Sequence, residues 1–250
     1  MIEADVQAEG VALIGALAGE GAAARLLGGV AVAQHRHDGW AASFDRVYGD
    51  IDLVAGSRSR RAVERVLGER GYEAAVSFNR LHGDRRLLFL DHAHARQVDV
   101  FLGRFSMCHA LDLDARLARH PTTLSPADLL LTKLQVAEPD PKDLRDAVAL
   151  IHQHPLAADA DGDVLGLDRL VEVTSADWGW WTTFTDNLER VPGTAAVLLE
   201  DASGVEERCG EIFAAVEQAP KGLRWRARAK VGRRVPWREE PEEHGAGIHG

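Results

Sequence analysis

Between Gly49 and Gly56 the chain reads Asp50-Ile51-Asp52-Leu53-Val54-Ala55. A short apolar, partly β-branched run between glycines reads as a strand, Ile51–Ala55, with the acids at its entry. Side chains on a strand alternate with period two, so Asp50 and Asp52 share one face. Two carboxylates on one face repel unless a cation lies between them, and their hard oxygens suit Mg²⁺. A second strand, Gln97–Leu102, carries Asp99 on the face opposite to Val98 and Val100. A lone charge among apolar neighbours is costly to bury unless it is paired or metal-bound. If the two strands are neighbours, three carboxylates converge, enough to hold two metal ions about 3.5–4 Å apart for in-line phosphoryl chemistry.

The flanking sequence supplies the rest of an α/β (α+β) pattern. Residues 4–19 are helical in spacing, Ala24–Leu27 is a strand that ends at Gly28-Gly29, and Val30–His35 starts a second helix. Paired glycines between strand and helix let a backbone approach a phosphate closely, and a helix N-terminus favours an anion. His37–Tyr48 is loop-like, and Ser57–Gly71 is a helix with Val63, Val66 and Leu67 inward and Gly71 at its C-cap. Glu73–Leu81, Arg85–Leu90 and Gln97–Leu102 read as strands of an antiparallel meander. From Leu111 onward the pattern is helical. Ser125 with Asp128 resembles a capping box, and Pro126 supports a helix over 126–136, which Pro139 and Pro141 break. Lys142–His154 is a further helix. The predicted sheet is mixed and largely antiparallel, flanked by helices, in a domain spanning residues 1–154. Residues 156–163 form a linker, 166–218 two or three helices with Trp178, Trp180 and Trp181 packed between them, and 155–238 a helical C-terminal domain. Residues 239–250 are a polar tail expected to be disordered.

Gly28-Gly29, then Asp50-Ile51-Asp52, then a lone Asp99 on a later strand resemble the pattern of the DNA polymerase beta-like nucleotidyltransferase superfamily. The run Leu129-Leu130-Leu131-Thr132-Lys133-Leu134, followed by Lys142-Asp143-Leu144-Arg145-Asp146, is similar to the LxxxKL … KDxxD helices of AbiEii-type nucleotidyltransferases, a group that shares features with small antibiotic nucleotidyltransferases. The resemblance covers residues 22–152. It departs in one respect: twenty residues separate Gly29 from Asp50, which the loop His37–Tyr48 accounts for.

The resemblance implies transfer of a nucleoside monophosphate from a nucleoside triphosphate such as ATP to an acceptor hydroxyl. Asp50 and Asp52 would hold two Mg²⁺ ions (Mn²⁺ in their place), and Asp99 would hold the one nearer the acceptor and take its proton. Gly28, Gly29, Lys133 and Lys142 would meet the nucleotide. The acceptor is open: a tRNA end, a protein side chain, or a small molecule such as an aminoglycoside. The toxin of a toxin–antitoxin pair, with a protein partner, is one context the resemblance allows.

Composition narrows the surroundings. A chain of 250 residues, 46% hydrophobic, buries a sizeable core without staples. Cys108 and Cys209 are too few for a disulfide framework or a four-cysteine metal site, and they fit a reducing cytoplasm. No run reaches the ~18 apolar residues of a membrane span, and the acidic N-terminus lacks the basic region of a secretory signal. A formal charge of −10 excludes a protein that coats nucleic acid with its whole surface, and suits a cationic acceptor. Residues 221–238, with eight Lys and Arg, instead offer a local grip on RNA.

Two competing classes stand beside the enzyme: a catalytically silent nucleotide- or partner-binding module of the same fold, and a zinc-binding regulatory protein. The latter would use the pairs His35/His37 and His92/His94. Neither pair has the i, i+4 helical spacing of zinc enzymes and no cysteine lies close, so they read as polar loop histidines.

Overall fold

The computed structural model describes residues 2–158 and 163–240. The acid-bearing strand β2 (Asp50–Ala55) lies inside a five-stranded sheet. On one side it pairs antiparallel with β1 (Ala24–Leu27), and on the other parallel with β5 (Arg96–Leu102). Antiparallel β4 (Arg86–Asp91) and the two-residue β3 (Glu73–Ala74) complete the order β1-β2-β5-β4-β3. Three of the four pairings are antiparallel, so the sheet is mixed and largely antiparallel, and the fold is α/β. Ile51 and Leu53 on β2 and Val98 and Val100 on β5 are fully buried on the face away from the acids.

Helix α1 (Val6–Gly19) is capped by the Asp5 side chain. It inserts Leu13 and Leu17 into the core. Helix α2 (Gly28–Gln34) follows β1 without a linker, because Gly28 takes φ +70° and turns the chain at once. Helix α3 (Arg60–Arg70) buries Val63, Val66 and Leu67 and ends on Gly71 at φ +103°.

Several expectations are corrected. Glu73–Leu81 is a strand only over β3, and Val76–His82 is a helix, α4. Its Asn79 side chain donates to the Leu88 carbonyl and accepts from the Leu88 amide, which fastens the turn to β4 in place of a strand ladder. The chain near Leu111 is not helical: β6 (Arg104–Ser106) and β7 (Ala110–Asp112) form a hairpin that buries Phe105 and Leu111. Pro141 starts a helix and does not only break one; it occupies the first turn of α6 (Pro141–Gln153), where its missing N–H costs nothing. Helix α5 (Pro126–Leu134) is capped by Ser125 Oγ as the sequence predicts, ends two residues early, and is buried along its whole length. The linker expected at 156–163 begins with β8 (Leu156–Ala157), which pairs with β9 (Leu165–Gly166). The middle of that stretch and most of the expected polar tail lie outside the described residues.

Beyond β9 run α7 (Leu167–Ala176), α8 (Trp178–Leu188), α9 (Val191–Leu198) and α10 (Ser203–Gln218), one helix more than expected, then α11 (Leu223–Val231). Helices α9 and α10 pack on α6, and α7 and α8 pack on α5. One hydrophobic cluster therefore runs from Leu13 to Val216 across the boundary placed at residue 154. Among the described residues no helix is long and apolar enough to cross a membrane.

Candidate active site

The register of β2 and β5 sets Asp52 directly beside Asp99, while Leu27, the residue before Gly28, pairs with Asp52 from the other side. Asp50, two residues before Asp52, shares its face. The strands thus bring the three predicted carboxylates to one place. Asp50 is exposed, Asp52 half-buried and Asp99 buried. Loss of water around Asp52, and secondly the charge of Asp99, push its carboxyl up to about 7; Asp50 adds to the rise, and Lys133 and Arg86 oppose it.

Gly28 fits this site for two independent reasons. Its φ of +70° is one L side chains rarely adopt, and a Cβ there would overlap the Asp52 carboxylate. Gly29 is equally confined, since a Cβ would strike the Arg46 guanidinium and the Tyr48 ring. Both glycines therefore line the wall of a cavity of about 330 Å³ whose other walls include Asp50, Asp52, Arg46, Arg86, Lys133 and Lys142.

The predicted cations are placed differently. Lys133, buried on α5, is held by Asp143 Oδ1 at 2.9 Å and Asp146 Oδ2 at 2.8 Å on α6. Burial works against its charge, but Asp146 and Asp143 outweigh that and raise its pKa above the ordinary lysine value. Arg46 joins the same network through Asp146 at 2.9 Å and stacks over the Tyr48 ring. Lys142 is exposed at the cavity rim, 3.4 Å from Asp140.

Arg46, Tyr48 and Arg86 are site residues that the sequence reading missed. Arg86 donates to Asp99 Oδ1 from both Nε and Nη2 at 2.8 Å and lies over the Phe101 ring. Arg46 and Tyr48 immediately precede Gly49-Asp50, a proximity that marks them in retrospect. Arg86 becomes visible only once β4 is known to pair with β5.

The basic segment is partly spent on its own fastening. Arg228 donates to the carbonyls of Gly232, Val235 and Pro236 and sits over Trp178, and Arg233 pairs with Asp186 at 2.6 Å. Among the described residues Arg224, Arg226, Lys230 and Arg234 form no salt bridge, so the face they offer is solvated. Trp178 and Trp180 are buried, and the Trp180 indole donates to the Ala110 carbonyl, so these rings are core rather than a stacking platform. Of the histidine pairs, His92 and His94 bond separately to Glu73 and Asp91. His35 and His37 instead meet His154 and Asp163 beyond the C-terminal end of α2.

No family model matches this sequence, and a search of curated proteins finds no match.

Proposed function

We propose that the protein is a Mg²⁺-dependent nucleotidyltransferase, moving a nucleoside monophosphate from a nucleoside triphosphate to an acceptor hydroxyl. The observation that carries this reading is the register of Asp52 with Asp99, with Asp50 on the same face, where Asp50 and Asp52 line a cavity bordered by Gly28. The donor set is of the kind the ion takes: three hard carboxylates share one face of the adjacent strands β2 and β5, and the Asp52 carboxyl, raised by loss of water and then by Asp99, is one that a divalent cation would hold ionised. When bound, Mg²⁺ supplies neutralisation of the triphosphate and of the charge that develops on the transferred phosphoryl group.

The chain's own residues do the rest. Asp50 and Asp52 would hold the cations, with Asp99 on the one nearer the acceptor. The Gly28-Gly29 backbone gives the phosphates close approach, because neither residue has a side chain to block it. Arg86 holds Asp99 Oδ1, which fixes the carboxylate and leaves its other oxygen to take the acceptor's proton. The acceptor oxygen then bonds to the α-phosphorus as the bond to the pyrophosphate oxygen breaks. Lys142, exposed at the rim, meets the departing pyrophosphate. Lys133 and Arg46, tied to Asp146 and Asp143, hold α6 against α5 and set the cavity's shape.

A second reading has an observation of its own. Asp99 and Lys133 are both satisfied within the protein, as in a module that binds nucleotide without turnover. Incubation with each labelled triphosphate, Mg²⁺ and total RNA, protein extract or aminoglycosides separates the two. Label in one pool, lost in Asp50→Asn and Asp52→Asn, supports the transferase. Triphosphate binding without label transfer supports the module, and transfer undiminished in both variants removes the carboxylates from the reaction.

A further inference from the structure

At the opposite end of α2 from Gly28, His35, its C-cap, and His37 approach His154 at the end of α6 and Asp163 just before β9. One ligand-capable atom from each of the four lies within 4.8 Å of every other. His35 and His154 are buried, and His37 and Asp163 are open to solvent.

Hydrogen bonding constrains the tautomers. His35 Nε2 faces the Leu124 carbonyl at 3.4 Å and the Thr123 hydroxyl at 2.7 Å. That hydroxyl also has two acceptors at 2.8 Å, the Leu124 carbonyl and His120 Nδ1, and when it donates to either one Nε2 carries the proton. Its Nδ1 faces Asp163 Oδ1 at 3.1 Å: a hydrogen bond in the tautomer with the proton on Nδ1, and a lone pair free for a metal in the tautomer with the proton on Nε2.

His154 repeats the pattern. Its Nδ1 faces the Asp163 carbonyl at 2.8 Å and must donate, which leaves Nε2 as a bare acceptor. That atom is buried and has no partner among the described residues, while the residue has no exposed surface. An orphaned, fully buried imidazole nitrogen costs on the order of 1–3 kcal/mol unless something occupies it. His37 Nε2 stands 3.8 Å from the same Asp163 oxygen.

His120 is oriented for support. Its Nδ1 accepts from the Thr123 amide at 3.0 Å, so its Nε2–H is directed at Asp163 Oδ1, 3.6 Å away. An outer hydrogen bond between His35 Nε2 and Thr123, with His120 close beside Asp163, is the usual setting of a metal-ligating histidine and carboxylate.

We propose that His35, His37, His154 and Asp163 form a closed, four-ligand structural site for a divalent transition metal of the zinc class. Three imidazoles and one carboxylate are a tetrahedral zinc donor set, with metal bonds of about 2.0–2.2 Å. Ligand atoms in such a tetrahedron stand about 3.4 Å apart, so side-chain rotation closes the cluster around the ion. The metal clamps the end of α2, the end of α6 and the segment entering β9, and so ties the sheet to the C-terminal helices. It is independent of the carboxylate site, whose ligands are Asp50, Asp52 and Asp99.

The test is metal content and affinity of untagged full-length protein purified without added metal, with Co²⁺ as spectroscopic probe. The expected result is one zinc per chain, a lower Tm after chelation that Zn²⁺ restores, and the visible absorption of four-coordinate Co²⁺. His37→Gln, at an exposed position that tolerates substitution, should weaken Zn²⁺ binding by at least about 10–100-fold, the scale on which even outer partners act. His154→Gln should do the same, while His92→Gln and Asp52→Asn leave the affinity unchanged. Zinc binding that survives His37→Gln, or that disappears in Asp52→Asn, overturns the proposal. So does a Co²⁺ form without the four-coordinate spectrum.

Discussion

Replacing Asp52 by Asn should stabilise the metal-free protein, and by an amount that depends on pH in a defined way. The Asp52 carboxyl is raised from 3.8 to about 7, first by loss of water and then by Asp99. A folded-state pKa above the unfolded value means that the native state holds an extra proton between the two. Wild-type stability therefore falls as pH rises from about 4 to about 7, and the penalty is fully present above that. A shift of about three units corresponds to a ceiling of roughly 4 kcal/mol. Asp52 is only half-buried and its neighbours relax, so screening reduces this to about 1–2 kcal/mol. Asn keeps the shape and removes the charge. In EDTA at pH 8 the variant should thus melt roughly 2–8 °C above wild type, since 1 kcal/mol moves Tm by about 2–4 °C at this size. The gap should shrink towards pH 4, as the pH approaches the unfolded value of 3.8 and the unfolded carboxyl gains its proton too. Mg²⁺ should raise the wild-type Tm and leave the variant's nearly unchanged. Thermal and urea melts across pH 4–9 read all of this. A difference constant with pH, or a variant less stable at pH 8, would refute the account of a carboxylate strained by its neighbours.

Gly28→Ala should destabilise the fold by at least about 1–2 kcal/mol from the left-handed backbone alone, and should displace Asp52 enough to abolish transfer; urea melts and the labelling assay check both. Lys133→Ala leaves Asp143 and Asp146 short of a buried counter-charge and should cost about 3–5 kcal/mol; an unchanged denaturation midpoint would mean that the network is solvated. If the basic segment holds RNA, replacing Arg224, Arg226, Lys230 and Arg234 with Gln should flatten the salt dependence of RNA binding by about 0.7 per lost phosphate contact. Triphosphate binding, measured by calorimetry, should stay as it was, and an unaltered salt slope would exclude this face from RNA contact.

Along the chain, what can be read is whatever a residue imposes on its own backbone. Period two puts Asp50 and Asp52 on one face, Ser125 and Pro126 start a helix, Gly71 stops one, and Gly28 marks a turn before the acids arrive. The short errors share a cause: where a local signal is weak, as over Glu73–Leu81, a distant partner decides, and Asn79 bonding to Leu88 makes a helix there. Only the tertiary structure puts β5 beside β2 so that Asp99 stands next to Asp52. Only the pairing of β4 with β5 brings Arg86 onto Asp99. Lys133 needs an anion by its own burial, but that Asp143 and Asp146 supply it follows from the packing of α5 on α6. The histidines show the limit most plainly. His35 and His37 stand two positions apart in sequence and read as loop residues; their chemistry depends on His154 and Asp163, more than a hundred positions away. Periodicity fixes directions relative to one strand or helix, whereas distances between elements are set by which apolar faces pack together.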